Sequence, residues 1–348
     1  MQVCTLRGWY FSGSLLLWLL ACELTAAQIT PDQTLPENST VVFQINDNRW
    51  SINGGTLSQQ GRNLFHSFEQ FSLPTNNIAD FNNPPVKNII TRVTGSLPSN
   101  IDGIIRASNP ANLYFINPNG IIFGPNASLE IGGSFFASTA SSLNFADGTK
   151  FSATTTQTSP LLTVSVPIGL QYGSNSGTIQ VHGSNLQVPN GEALTLVGGD
   201  VQLDGGTLLA LGGRVELAGL AGSGVVGLNA DNSLSFPEGV TRADVSLLNG
   251  AEVNVLSSSG GHIGITARTI KLVGNTTRLA AGIETNTSLS NAQAGDIRLN
   301  ATGDITLTSS QITNQVEPNA TGNSGEIEVT TTGSLQLTEG ARLGTATF

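Results

Sequence analysis

A short phrase recurs in the carboxy-terminal third of this chain. Gly261-His262-Ile263-Gly264-Ile265 returns as Gly295-Asp296-Ile297-Arg298-Leu299 and again as Gly325-Glu326-Ile327-Glu328-Val329. The spacings are 295 − 261 = 34 and 325 − 295 = 30 residues. Each copy is followed by a second alternating run: Thr269-Ile270-Lys271-Leu272, Asp304-Ile305-Thr306-Leu307 and Ser334-Leu335-Gln336-Leu337. Runs this short, with an apolar side chain at every second place, are half-buried strands. One such coil cannot bury its own apolar side, so repeats of this length with unequal loops have to stack. In a parallel β-helix, Ile263, Ile297 and Ile327 then form one inward column, while His262, Asp296 and Glu326 face solvent. At about 20–25 residues and roughly 4.8 Å per coil, the chain predicts a rod on the order of 60–75 Å long. No amphipathic helix longer than a turn or two is visible; a jelly roll or sandwich is the competing all-β arrangement.

Composition narrows the function. Only 11% of the 348 residues are charged and the net charge is −10, so no basic patch is available for nucleic acid. An apolar share of 39%, regularly alternating, separates the chain from disordered sequences that are also rich in Gly and polar residues. Residues 1–27 read as a secretory signal peptide: Arg7, an apolar stretch over 11–21 too short to span a bilayer, then Thr25-Ala26-Ala27 ahead of Gln28. Leu19-Leu20-Ala21-Cys22 is the rival reading, a lipobox that would lipidate Cys22. Both cysteines, Cys4 and Cys22, lie in this segment, so a cut after Ala27 leaves no thiol for catalysis or for a Cys-based zinc site.

A second feature is local. Asn117-Pro118-Asn119-Gly120 sits between the apolar runs Leu113-Tyr114-Phe115-Ile116 and Ile121-Ile122-Phe123. Asn can accept from its own backbone two residues on, Pro presets φ and Gly closes the turn, so the segment predicts a type I turn between strands. Its surroundings hold Asn63-Leu64-Phe65-His66-Ser67-Phe68-Glu69-Gln70-Phe71, Ile90-Thr91-Arg92-Val93-Thr94-Gly95, Asn100-Ile101-Asp102-Gly103-Ile104-Ile105 and Gly132-Gly133-Ser134-Phe135-Phe136-Ala137-Ser138-Thr139. Together, in this order, these segments resemble the amino-terminal two-partner-secretion domain of filamentous-haemagglutinin-type exoproteins. Where many members carry Asn-Pro-Asn-Leu upstream, this chain reads Asn83-Pro84-Pro85-Val86.

The resemblance implies an all-β fold, a right-handed parallel β-helix with an amino-terminal capping region. It divides the chain into a secretion domain over 28–155 and a β-helix repeat region over 156–348, which reads as open-ended or truncated. It also implies export through the periplasm of a Gram-negative-type envelope by an outer-membrane β-barrel transporter with POTRA domains. The matching residues Asn117, Pro118, Asn119, Gly120 and Ile121 would form the secretion motif. The product would be a non-enzymatic adhesin or haemagglutinin-like protein, secreted or held at the outer surface, with a glycan or cell-surface molecule as its candidate ligand.

Catalytic alternatives have little to stand on. His66, His182 and His262 lack metal-ligand spacing and read as solvent-facing or loop residues, and no cofactor site is expected. Polysaccharide lyases and hydrolases also use β-helices, so the carboxylate pairs Asp200/Asp204 and Asp296/Asp304 are the sites a β-helix enzyme would use. As turn residues they are simply solubilising.

Overall fold

The computed structural model describes residues 28–35, 39–155, 165–174, 176–284 and 292–347, with the short segments Thr5–Leu6 and Leu20–Ala21. The signal peptide expected over residues 1–27, its expected cleavage site and the rival lipidation site at Cys22 lie outside the described residues, apart from those two dipeptides. Among the described residues there is no α-helix, and one 3-10 turn, Gln59–Gly61.

Parallel strands wind into three faces. The first carries nine strands: Asn63–Ser72, Asn88–Val93, Asn112–Ile116, Phe135–Ser138, Ala193–Gly198, Arg214–Gly219, His262–Ala267, Ile297–Ala301 and Ile327–Thr331. The second runs from Ser99–Ile101 and Ile121–Phe123 to Leu335–Thr338. The third is formed by Arg49–Gly54, Ile78–Phe81, Ile104–Ala107 and Ser128–Glu130, then by six strands from Asn185–Gln187 to Arg342–Thr347. The amino-terminal end is closed antiparallel: Gln28–Pro31 pairs with the first long strand, and Thr40–Asn46 pairs with Arg49–Gly54.

Side-chain period sets the register. On the first face Leu64, Ile89, Leu113, Phe135, Leu194, Val215, Ile263, Ile297 and Ile327 are successive partners in one inward column. The expected stack of Ile263, Ile297 and Ile327 is therefore present, and Ile297 is fully buried. The second-strand repeats stack too, Ile270 on Ile305 on Leu335.

The rod is shorter than expected. Eight steps of roughly 4.8 Å separate the nine strands of the first face, about 40 Å in all. Residues were diverted by two excursions that leave at the same corner, between the first and second faces. They take up 178 − 138 = 40 and 244 − 219 = 25 residues. Ser142–Phe145, Lys150–Ser152 and Pro167–Tyr172 from one join Gly224–Leu228 and Leu234–Ser235 from the other in an antiparallel sheet. This sheet crosses residue 155 and lies over the outside of the first face.

There it makes a second core, with Phe65, Ile90, Tyr114, Ile116, Phe136 and Val197 on one side and Leu143, Phe145, Phe151, Leu170, Tyr172 and Val226 on the other. Tyr172 donates to the Val197 carbonyl at 2.7 Å and shares a 2.5 Å hydrogen bond with Ser138. The sequence obeys this geometry. Covered strands are apolar on both sides, such as Asn112-Leu113-Tyr114-Phe115-Ile116, whereas the uncovered Ile297-Arg298-Leu299-Asn300-Ala301 alternates.

Candidate functional site

The Asn-Pro-Asn-Gly segment is the corner between the first-face strand Asn112–Ile116 and the second-face strand Ile121–Phe123. Gly120 N–H donates to the Asn117 carbonyl at 3.2 Å, closing the turn. Asn117 Oδ1 accepts from Asn119 N–H at 3.0 Å, the self-capping expected of Asn at the first turn position. What sequence did not disclose is the reach of Asn117 into the neighbouring coil. Its side chain is fully buried, and Nδ2 donates to the Leu97 carbonyl and to Ser99 Oγ, both at 3.0 Å.

Asn119, exposed at the surface, donates from Nδ2 to the Gly95 carbonyl at 2.7 Å. On the other side, Gly177 N–H donates to the Pro118 carbonyl at 2.9 Å and Ile121 N–H to the Thr178 carbonyl at 3.0 Å. The corner thus ties three successive coils. Two glycines make it possible: Gly120 has φ +126°, and a Cβ on Gly177 would lie 2.3 Å from the Asn119 carbonyl carbon. Ile121 completes the corner by entering the core. The five motif residues are brought together, but only Asn119 and part of Pro118 meet solvent.

Asn83 repeats the device at another corner. It is buried, its Oδ1 accepts from Asn109 N–H and its Nδ2 donates to the Asn109 carbonyl, both at 3.2 Å. At the start of the first face, Asn88 Nδ2 donates to Asn63 Oδ1 at 2.8 Å and Asn112 Nδ2 to Asn88 Oδ1 at 3.0 Å. The spacings 88 − 63 = 25 and 112 − 88 = 24 carried that asparagine column in the sequence, unread.

The resembling segment around Arg92 holds a buried hub. Arg92 donates from Nε to Ser67 Oγ at 2.8 Å, from Nη1 to the Ser152 carbonyl at 2.6 Å and from Nη2 to Thr34 Oγ1 at 2.8 Å. Its guanidinium lies 4.2 Å from the Phe151 ring centre. Burial pulls its pKa down to about 10, against the opposing pull of Asp32. Asp32 is burdened by burial, yet hydrogen bonds from Thr94, Thr34 and Ser67 hold its carboxyl below the ordinary value. One side chain therefore joins the cap, the helix and the outer sheet.

The histidines divide. His66 is not at the surface: it is buried in the core beside Phe68 and Phe81, within 3.2 Å of Thr40 Oγ1, and burial pushes its pKa down to about 3. Leu64, His66 and Phe68 alternate on one side of their strand, and that period overrides the polarity of the ring. His182 bonds to Gln180 at 3.0 Å, and His262 Nδ1 accepts from Asp296 N–H at 3.0 Å.

Three of the four candidate carboxylates cap backbone N–H groups and the fourth, Asp204, accepts from a side-chain amide. Asp200 Oδ1 accepts from Asp244 N–H at 2.9 Å, and Asp244 Oδ1 from Thr269 N–H at 3.1 Å. Asp304 Oδ1 accepts from Ser334 N–H at 2.8 Å, and Asp296 Oδ1 from Glu326 N–H at 3.1 Å. Asp204 accepts from Asn249 Nδ2 at 2.7 Å. Among the described residues no three His, Cys, Asp or Glu side chains converge as a metal site.

Comparison with known proteins agrees with this architecture. The family described as "TPS secretion domain" matches residues 27–265, 239 of the 348. No curated protein sequence matches significantly. Among solved structures, the HMW1 secretion domain from Haemophilus influenzae is similar at 17% identity and a TM-score of 0.52, covering 89% of this chain and 75% of that one. The filamentous hemagglutinin secretion domain aligns at 16% identity and a TM-score of 0.46, covering 89% of this chain and 99% of that one. The first of these likenesses bears on the fold alone; membership rests on the family match across most of the chain. The chain belongs to the TPS secretion domain family, the two-partner-secretion exoproteins that leave the cell by way of a partner outer-membrane transporter.

Proposed function

We propose that this exoprotein is a non-enzymatic adhesin or haemagglutinin-like surface protein. In this reading a leader ending at Ala27 sends it to the periplasm. A β-barrel transporter with POTRA domains then recognises residues 28–155, and Asn117–Ile121 is the secretion motif. Its released or surface-held form attaches to a glycan or another cell-surface molecule. The observation that carries the motif assignment is the burial of Asn117, whose amide bonds to Leu97 and Ser99 in the neighbouring coil. The motif acts by building the fold, not by offering side chains to a partner.

Two strains test this. Without the transporter the protein should stay in the periplasm. Asn117→Ala removes the bonds to the buried Ser99 hydroxyl and the Leu97 carbonyl, at a cost of about 1–3 kcal/mol. Secretion should fall several-fold, and Asn119→Ala, at the surface, should matter less. Unchanged secretion in both the transporter-deleted strain and the Asn117→Ala strain would remove the reading. The β-helix enzyme is disfavoured because Asp200, Asp204, Asp296 and Asp304 all hold their neighbours' N–H groups. Turnover of an acidic polysaccharide lost in Asp200→Asn would reinstate it.

A further inference from the structure

The second excursion returns to the helix past a cavity of about 400 Å³, lined by residues 236–242 together with Arg268 and Thr302. Its wall is held by backbone. The Thr241 carbonyl accepts from Ala221 N–H at 3.0 Å and Gly222 N–H at 3.2 Å, and Arg268 N–H donates to the Ala243 carbonyl at 2.7 Å. Two guanidiniums line the space and they differ. Arg268 is paired with Asp244. Arg242 has no carboxylate partner among the described residues. Its Nη1 donates to the Asn300 carbonyl at 3.2 Å and to Asn300 Oδ1 at 2.8 Å, and its guanidinium carbon lies 5.8 Å from the Phe236 ring centre.

That leaves Nε and Nη2 of Arg242 without a partner among the described residues, on a guanidinium already oriented and half-buried. Burial lowers its pKa, so part of its hydration has already been lost. In a chain with 14 basic and 24 acidic residues, a partly buried guanidinium without a counter-ion among the described residues is a favourable place for an anion. Glu238 lines the same cavity, as do Thr241, Thr302 and the apolar Phe236 and Val240.

We propose that this cavity binds a saccharide bearing a carboxylate, with the carboxylate on the free edge of Arg242. A planar fork of two N–H groups matches a carboxylate. Glu238 and the two threonines suit ring hydroxyls, and Phe236 and Val240 suit the C–H edges of the ring. Glu238 and the net charge of −10 oppose a phosphate-rich polyanion. The inference gives a chemistry to the ligand of the adhesin reading and rests on that reading only for its biological use.

The purified protein, titrated by ligand-observed NMR with methyl β-D-glucuronide, methyl β-D-glucoside and acetate, tests it. The glucuronide should bind roughly tenfold or more tightly than either other probe, as expected for a charged hydrogen bond at a prepared site. Arg242→Gln should abolish that preference with an unchanged far-UV circular dichroism spectrum. Arg278→Gln, altering a guanidinium paired with Glu252 on another face, should keep it. Equal binding of glucuronide and glucoside by the unmodified protein, acetate binding as tightly as the glucuronide, or a preference surviving in Arg242→Gln would overturn the assignment. Because no transporter takes part, failure here and failure of secretion are separate results.

Discussion

His66 shows how far one residue's environment can depart from its polarity. The folded protein holds the ring neutral, with a pKa lowered from 6.5 to about 3 by burial. An unfolded chain protonates this ring as pH falls below about 6.5, whereas the folded one resists until about 3. The contribution is therefore fully present above pH 6.5 and is lost through that window, at about 1.4 kcal/mol per pH unit. Glu216 slopes the other way, since burial against the pull of Arg214 pushes its carboxyl up to about 7. Taking the difference between the protein and a His66→Gln variant cancels Glu216. That difference, from urea midpoints at pH 7, 6, 5 and 4, should shrink steadily with acid. A difference independent of pH would mean that the ring titrates freely.

At the level of strands, alternation made most of the solenoid legible. Ile263, Ile297 and Ile327 announced both the repeat and its register, because a period of two leaves no freedom once one side is buried. Ile297→Asp should cost roughly 3 kcal/mol or more by burying a lone carboxylate. Asp296→Asn should cost roughly under 0.5 kcal/mol, because an amide oxygen can still accept from Glu326 N–H. Equal losses in chemical denaturation would contradict the observed column. The second core was illegible for a physical reason. Strands apolar on both sides, such as Asn112–Ile116, do not say what covers the outer side, and the cover comes from distant chain, the sheet of Ser142–Phe145, Pro167–Tyr172 and Gly224–Leu228. The corner turn could be read from Asn117-Pro118-Asn119-Gly120 alone. Its bonds to Leu97, Ser99 and Gly177 depend on which coils become neighbours, as does the meeting of Asp32, Arg92 and Ser152.

Across the whole molecule the two cores divide stability unevenly. Coils through Arg214–Gly219 are buried on the inside and roofed over much of the outside of the first face, while the first-face strands from His262–Ala267 onward lie outside that roof, and their coils add a small cluster of Ile283, Ala292, Ala294 and Val316 to the inner core. In a solenoid each coil is held by its neighbours, so protection should follow this division. Hydrogen exchange read by mass spectrometry should be slowest in Asn88–Val93 and Ala193–Gly198 and faster in Ile297–Ala301. Uniform protection along the first face would deny the roof any energetic weight.

The capping bonds between coils also have a polarity. Asn112, Asp102, Asp200, Asp244, Asp296 and Asp304 each accept from an N–H of the coil that follows. Among the described bonds of this kind, Gly250 N–H, donating to the later Thr277, runs the opposite way. For these capping bonds, a newly arriving coil finds its acceptors already fixed in the chain ahead of it. For a polypeptide threading out amino-terminus first, such an order works as a ratchet. Each coil completed outside would then hinder backsliding.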